Sequence, residues 1–402
     1  MQRIREAETR EKTWREEAAL AEAAYRNDNK AEVGKTYDFN ILHSNVETIV
    51  PSLYNSTPVP DIRRRFADKD PAAKQFSDIV ERAISIQIDD NRMDAEIERQ
   101  TQDAFVAGRG IVRVRFKADG ETVDPDPSFV ADMEGEEVTE ATLNERIELE
   151  AVSWKDFVCG KAQRWRDVPW VAFRHTIDRK EMDRLTNGDL YRQQMAESDG
   201  KPLLATDDED IPIWEVWCKR SMTVKFIRDE DSFVLSVHDD PLGLQGFFPM
   251  AEPIQPIGCT GDMTPVCPFS IYRKLADELD TITKRINKIV SGVKVRGLVA
   301  GDVADLDRLA QAGDNDLVPI ANLEQLAATK GLDGAISWWP IETAIKVLAG
   351  LYQQREQVKQ SIYEITGISD IVRGASSASE TATAQQIKTQ WGSLRIQRLQ
   401  RL

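Results

Sequence analysis

No stretch of this chain stays apolar for the roughly 20 residues that a bilayer crossing requires. The N-terminal run MQRIREAETREKTWREE is charged from its first turn, unlike a signal peptide. A soluble chain, made and kept in the cytoplasm, is the expectation. Histidine is scarce: His43, His175 and His238 stand in unrelated contexts, without the His-x-x-x-His or Glu-x-x-His spacing of a metal site. Cys159, Cys218, Cys259 and Cys267 are scattered, and only the last two lie close, at a spacing that fits neither a zinc knuckle nor a Cys-x-x-Cys redox pair. They read as reduced, partly buried thiols. A Gly-x-Ser-x-Gly nucleophile elbow is missing. Gly34-Lys35-Thr36 looks like the end of a P-loop, but the glycine needed five residues earlier is Asn29, and no apolar strand leads into it. Asn55-Ser56-Thr57 is a glycosylation sequon in form only. No catalytic residue, cofactor or metal is expected, and the chain is not read as an enzyme.

What is present is a chain of 402 residues, 41% hydrophobic and 30% charged, long enough for two or three structural units around a sizeable core. Its net charge of −16 argues at first against a protein that grips DNA. The charge is segregated, however. Between Ala118 and Glu150 twelve acidic residues face the single Arg146, so this stretch alone carries −11. Nothing acidic follows Glu380, whereas Lys388, Arg395, Arg398 and Arg401 do. The acidic block lacks the glycine-centred spacing of a calcium loop and reads as an exposed, solvated hairpin. A further acidic loop is expected at Asp207 to Asp210.

Residues 1 to about 30 read as a polar helix. Residues 71 to 107 read as one or two helices carrying Phe76, Val80, Ile84 and Ile88 at i, i+4 spacing. The period then changes: Val112, Val114 and Phe116 alternate with Arg113, Arg115 and Lys117, the pattern of a half-buried strand. Strands are expected again at Arg146 to Trp154, Ile211 to Lys219, Met222 to Arg228 and Ser232 to His238, with helical MDRLTNGDLYRQQM between them. The fold class is therefore α+β.

After the turn-rich FFPMAEPIQPIGCTGDMTPVCPF, Ile271, Leu275, Leu279, Ile282, Ile286, Ile289 and Val293 recur in steps of four and three, one apolar stripe along a long helix. Its opposite side carries Asp277, Thr281, Lys284 and Lys288. The stripe must be covered, and a neighbouring subunit is the expected cover for Leu275, Leu279, Ile282 and Ile286. A second long helix starts near Pro340 with Ile341, Ile345, Leu348 and Tyr352, then Val358, Ile362 and Ile365. Between them, residues 295 to 339 read as strand (Val295 to Ala300), helix (Asp302 to Gly313), strand (Asp316 to Ile320) and helix (Asn322 to Gly331), then Trp338 and Trp339. Beyond the second helix, Gly374 to Ser379 is a run of small residues that reads as a mobile loop. Ser377 and Glu380 form a capping-box signal for a following helix. LRIQRLQRL has no stop signal, so that helix is expected to continue past Leu402.

The segment YDFNILHSNVETIVPSLYNSTPVPDIRRRF, Tyr37 to Phe66, is the most distinctive. Ile41, Val46, Ile49, Val50 and Leu53 sit at helical spacing, with Asn40 or Ser44 placed to cap the start and Pro51 near the end. Pro58 and Pro60 hold the following chain extended. Arg63, Arg64 and Arg65 read as a solvated face or as donors to salt bridges between subunits.

This segment resembles the early part of portal proteins, the ring-forming head-tail connectors of tailed bacteriophages. The two long helices around a small α/β module resemble their stem and clip, and Ile362 to Gln400 resembles their tunnel-loop region. The resemblance implies a wing at 1–265, a first stem helix at 266–294, a clip at 295–339, a second stem helix at 340–366, a tunnel loop at 367–381, and the start of a long wing helix at 382–402. A crown beyond 402 is implied as well. It further implies a closed, usually twelvefold ring at one capsid vertex of the virion, assembled in the bacterial cytoplasm, through which double-stranded DNA passes. Its partners would be the terminase large subunit, head-tail adaptor or tail proteins, and the major capsid and scaffolding proteins, with no membrane. Lys284, Lys288, Arg373, Gly374, Ser376, Ser377 and Ser379 would then face the tunnel. A head-tail adaptor or tail ring is the alternative; a terminase-type enzyme would need the intact P-loop that is missing.

Overall fold

The computed structural model describes residues 1–28, 36–57, 59–62, 71–120, 142–177, 182, 185, 211–230, 232–292, 297–299, 336–338, 341–368, 394 and 396–401. The fold is mixed helix and sheet, α+β as the residue patterns predict. Four helices come first: α1 (Gln2–Arg26), α2 (Ile41–Leu53), α3 (Pro71–Asp90) and α4 (Met93–Val106). A two-stranded hairpin follows, β1 (Ile111–Gly120) with β2 (Thr142–Val152), and then a five-stranded antiparallel meander. Its strands are β3 (Phe157–Cys159), β4 (Trp170–Ile177), β5 (Ile211–Cys218), β6 (Thr223–Arg228) and β7 (Val234–Asp239), paired in sequence order. Two long helices, α5 (Pro268–Gly292) and α6 (Ile341–Thr366), flank a short antiparallel pair, β8 (Gly297–Val299) and β9 (Ile336–Trp338).

The larger core is helical. Trp14, Ala18 and Ala21 of α1, Ile41, Leu42 and Val46 of α2, the end of α4, and the inner faces of α5 and α6 converge on it. A second core lies between the hairpin and the meander, where Phe157 packs on Phe173 with ring centroids 5.6 Å apart. Helix α1 joins the two. Its Arg10 and Arg15 donate to the carbonyls of Cys159 and Phe157 at 2.9 and 2.7 Å, which covers the open edge of the sheet at β3.

Several expectations are corrected. The alternating strand turns its arginine inward: Arg113 is 3% exposed and Phe116 is 51% exposed. The reason is electrostatic. Arg113 donates through Nε to Glu150 on β2 (2.7 Å) and through Nη1 to Glu215 on β5 (2.9 Å), and its guanidinium lies 5.0 Å from the centre of the Phe173 ring. A charge satisfied on both sides and stacked on an aromatic face tolerates burial. The acidic block does fall on a hairpin, with Asp119 in β1 and Glu145, Glu148 and Glu150 in β2, which begins four residues earlier than expected; Glu150 departs from a purely solvated role by pairing with Arg113 and Arg115, and residues 121–141 lie outside the described residues. Strands β3 and β4 were not anticipated.

Helix α3 does not bury the stripe Phe76, Val80, Ile84, Ile88. Val80 and Ile88 are half-buried, Phe76 and Ile84 are exposed, and no residue of the helix is fully buried. Asn40, not Ser44, caps α2, accepting from the His43 amide at 3.0 Å. Ile336–Trp338 forms a strand where only two tryptophans had been noted, and of the strand expected at Val295 to Ala300 the described residues Gly297–Val299 are extended and pair with it. The other elements expected within 295–339, the helix MDRLTNGDLYRQQM apart from Met182 and Leu185, and the acidic loop Asp207 to Asp210 lie outside the described residues.

Candidate functional site

The two long helices are the feature around which candidate residues gather. Pairing of Gly297 with Trp338 brings the end of α5 and the start of α6 to the same place, so the helices run antiparallel. Gln354 of α6 donates to Glu278 of α5 at 3.2 Å across the pair. At ~1.5 Å per residue each is nearly 40 Å long, and both pack on the helical core. Phe269, Tyr272, Ala276, Leu279, Ile282 and Ile286 of α5 and Val358, Ile362 and Tyr363 of α6 belong to that core.

This packing overturns one expectation. Leu279 is 0% exposed and Ile282 and Ile286 are buried, all against their own chain, with Leu275 packed on the same core. They are not available to a neighbouring subunit. Helices α2 and α4 and the length of α1 supply the cover that a single helix viewed alone appeared to lack.

A loop grips α5 from the side. The Tyr37 hydroxyl donates to Asp277 Oδ1 at 3.0 Å, and the Asp38 amide donates to Asp280 Oδ1 at 2.7 Å. Asp280 is itself buried, and its other oxygen meets Lys284 Nζ at 2.7 Å. Lys284 Nζ also lies 3.3 Å from the Thr36 carbonyl, and Asn287 Nδ2 donates to Asp38 Oδ2 at 3.3 Å. From the other side Asn27, in the left-handed region with φ 52°, accepts the Tyr37 amide at 2.7 Å and donates to the Tyr37 carbonyl. Burial and the bond to Asp277 push the Tyr37 phenol well above its ordinary range, while the bond to Asp280 raises Lys284.

The structure therefore separates the two lysines. Lys284 belongs to this clamp and is held by Asp280, whereas Lys288, one turn on, is exposed on the outer face of α5. Arg373, Gly374, Ser376, Ser377 and Ser379, with the capping pair Ser377 and Glu380, lie outside the described residues, as do Arg63, Arg64 and Arg65 and the P-loop fragment from Asn29 to Lys35. Tyr37, Asp38, Asp277 and Asp280 were not anticipated as a unit. Their one sequence signal was Asp280, a charge set between Leu279 and Ile282 on an otherwise apolar stripe.

A second polar cluster lines a cleft of about 410 Å³ beside the hairpin, formed by Arg113, Arg115, His175, Glu215, Trp217 and His238 among others. Its charges balance: Arg113 and Arg115 meet Glu150 and Glu215, and Trp217 Nε1 donates to Glu215 at 2.7 Å. Burial holds the His175 imidazole below its ordinary pKa, with Glu215 opposing. The cluster ties two sheets together. Cys159 and Cys267 are buried and burial raises both thiols, Cys218 is half-buried and Cys259 exposed. Among the described residues no group of His, Cys, Asp and Glu is arranged to hold a metal ion, and no helix is long and apolar enough to cross a membrane. No protein-family model and no curated protein matches this chain.

Proposed function

We infer that the chain is the subunit of a phage portal ring, a structural conduit for double-stranded DNA at one vertex of a capsid. The observation that carries this reading is the antiparallel pair α5 and α6, packed on the helical core from Phe269 to Ile286 of α5 and joined past that core through the β8–β9 ladder. A long helical hairpin braced along its core and closed by a short ladder serves as a strut. It holds that closed end at a fixed distance from the body, which is the mechanical need of a ring whose motor and tail partners dock at one end.

In this reading α5 and α6 are the stem and residues 295–339 the clip. The wing comprises α1 to α4 and the two sheets, and the tunnel loop begins near Gly367. Lys288 faces the passage as a sparse positive charge on an acidic chain. Weak, non-specific phosphate contacts suit a conduit, because each strong contact adds a sequence-independent grip that would arrest sliding. The terminase large subunit would dock on the clip during filling, and adaptor or tail proteins later. Capsid and scaffolding proteins would surround the wing. The ring itself carries out no chemistry.

The test is electron microscopy of the purified full-length protein, with mass measurement of the particle. A closed ring with a central hole is the expected result. A monomer at micromolar concentration, or a ring that hydrolyses ATP unaided, would overturn the reading.

A further inference from the structure

Helix α3 turns an apolar seam outward. Phe76, Ile79, Ala83 and Ile86 recur at steps of three, four and three, and are exposed by 69% (Phe76), 62% (Ile79) and 57% (Ile86), with Ala83 exposed between them. Asp90 extends the seam by one more step of four. Spacing of this kind is the signature of a helix that packs along another helix, and the side of α3 facing its own chain is a different one, carrying Ser77, Val80, Glu81 and Ile88. Contiguous exposed apolar surface of this extent marks a contact site.

The same chain carries a matching seam. On α6, Ile345, Ala349 and Tyr352 recur at steps of four and three and are exposed, by 57% at Ile345 and 48% at Tyr352, and Lys359 follows one heptad later. Laid parallel in one register, Phe76 meets Ile345, Ile79 meets Ala349, Ala83 meets Tyr352 and Asp90 meets Lys359, while Ile86 falls opposite the exposed Glu356, the one layer that does not match. Large residues then oppose small ones at two layers, and the layer at the end pairs opposite charges. Lys359 already lies 2.9 Å from Glu356 and would share its charge between the two carboxylates.

We propose that the α3 seam of one copy docks along the α6 seam of the next. The occupant is a second copy of this chain because the complement in size and charge is found on the chain itself. The two faces are different surfaces, so the contact is heterologous and propagates around a closed ring. The inference rests on the portal reading and adds to it the surfaces that join neighbours, in place of the α5 stripe that the core already covers.

Two variants of the full-length chain test it. Phe76→Glu with Ile79→Glu, both at exposed positions, should leave the circular dichroism spectrum unchanged and reduce ring particles at least tenfold by mass photometry. Independently, Ala83→Cys with Tyr352→Cys, in a Cys259→Ser background, should give a ladder of oxidised multimers on a non-reducing gel, and either cysteine alone should stop at dimers. Rings that persist in the glutamate variant, or wild-type rings whose double-cysteine form gives no ladder, overturn the docking while leaving the portal reading intact. A wild-type chain that is monomeric overturns both.

Discussion

Glu11 and Arg109, separated by 98 residues, meet as a buried two-point ion pair, with Arg109 Nη2 2.7 Å from Oε1 and Nη1 3.1 Å from Oε2. The Arg109 guanidinium stacks over Trp14, 4.6 Å from the ring centre, and Arg15 reaches Glu11 Oε2 at 3.2 Å. The pair fastens α1 to the turn between α4 and β1, where the helical core and the sheets join.

Removing one partner should cost far more than removing both. Glu11→Gln or Arg109→Met leaves an uncompensated buried charge or a buried carboxylate, and should lower unfolding free energy by about 3–5 kcal/mol in urea titration. The double variant Glu11→Leu with Arg109→Met should be less destabilised than the sum of the singles. Simple additivity would show that the two residues do not act as a pair.

Asp103 supplies a pH dependence. Burial, aided by the nearby Glu22 carboxylate, pushes its pKa from 3.8 up to about 6. A carboxyl whose folded pKa is raised contributes stability in full below pH 3.8 and loses it as pH climbs through about 6. The unfolding free energy from urea titration should therefore decline across that window by an amount on the order of 2–3 kcal/mol from this group. Asp103→Asn should flatten that part of the profile and be more stable than the parent at pH 8. An unchanged profile would count against the buried carboxyl as its cause.

The clamp on α5 should behave as a coupled unit. Tyr37→Phe and Asp277→Asn are each expected to cost about 0.5–1.5 kcal/mol, and the double variant less than their sum. Asp280→Ala should cost more, because it removes a buried carboxylate that accepts from the Asp38 amide at 2.7 Å and holds Lys284. Thermal unfolding of the four variants reads the coupling directly.

Two glycines flanking Arg109 should resist substitution. Gly108 has φ +99°, and a Cβ there would lie 2.5 Å from the Val266 carbonyl oxygen; one on Gly110 would lie 2.1 Å from that of Gln100. Gly110→Ala and Gly108→Ala should each cost about 1–3 kcal/mol or more, whereas Gly350→Ala, with open space around it inside α6, should stabilise by about 0.5–1 kcal/mol. Equal tolerance at all three sites, measured by denaturation, would show that the α4–β1 turn is not tightly packed.

The residues of α5 and α6 announced both helices in advance because a long apolar repeat at helical spacing has no other regular conformation that buries it. Asn40 as the cap of α2 was legible for a similarly local reason: its side chain answers an amide only three residues on. Strand β4, Trp170–Ile177, was not, since it buries Trp170, Val171, Ala172 and Phe173 in an unbroken run and so loses the alternation that marks a half-exposed strand.

What the sequence determined by itself were the local features: the α+β class, the lengths of the two long helices, a cap at the start of α2, and the fragment at 29–36 that departs from a P-loop. What only the tertiary structure decided was which faces those elements turn inward. The stripe on α5 proved to be core and the stripe on α3 surface, although both repeat at helical spacing. Arg113 went inside while Phe116 stayed out, because Glu150 and Glu215 arrive from other strands to meet the guanidinium. Periodicity fixes that a face exists, whereas burial depends on partners distant in sequence, and charge can be buried wherever the fold brings its counter-charge within hydrogen-bonding distance.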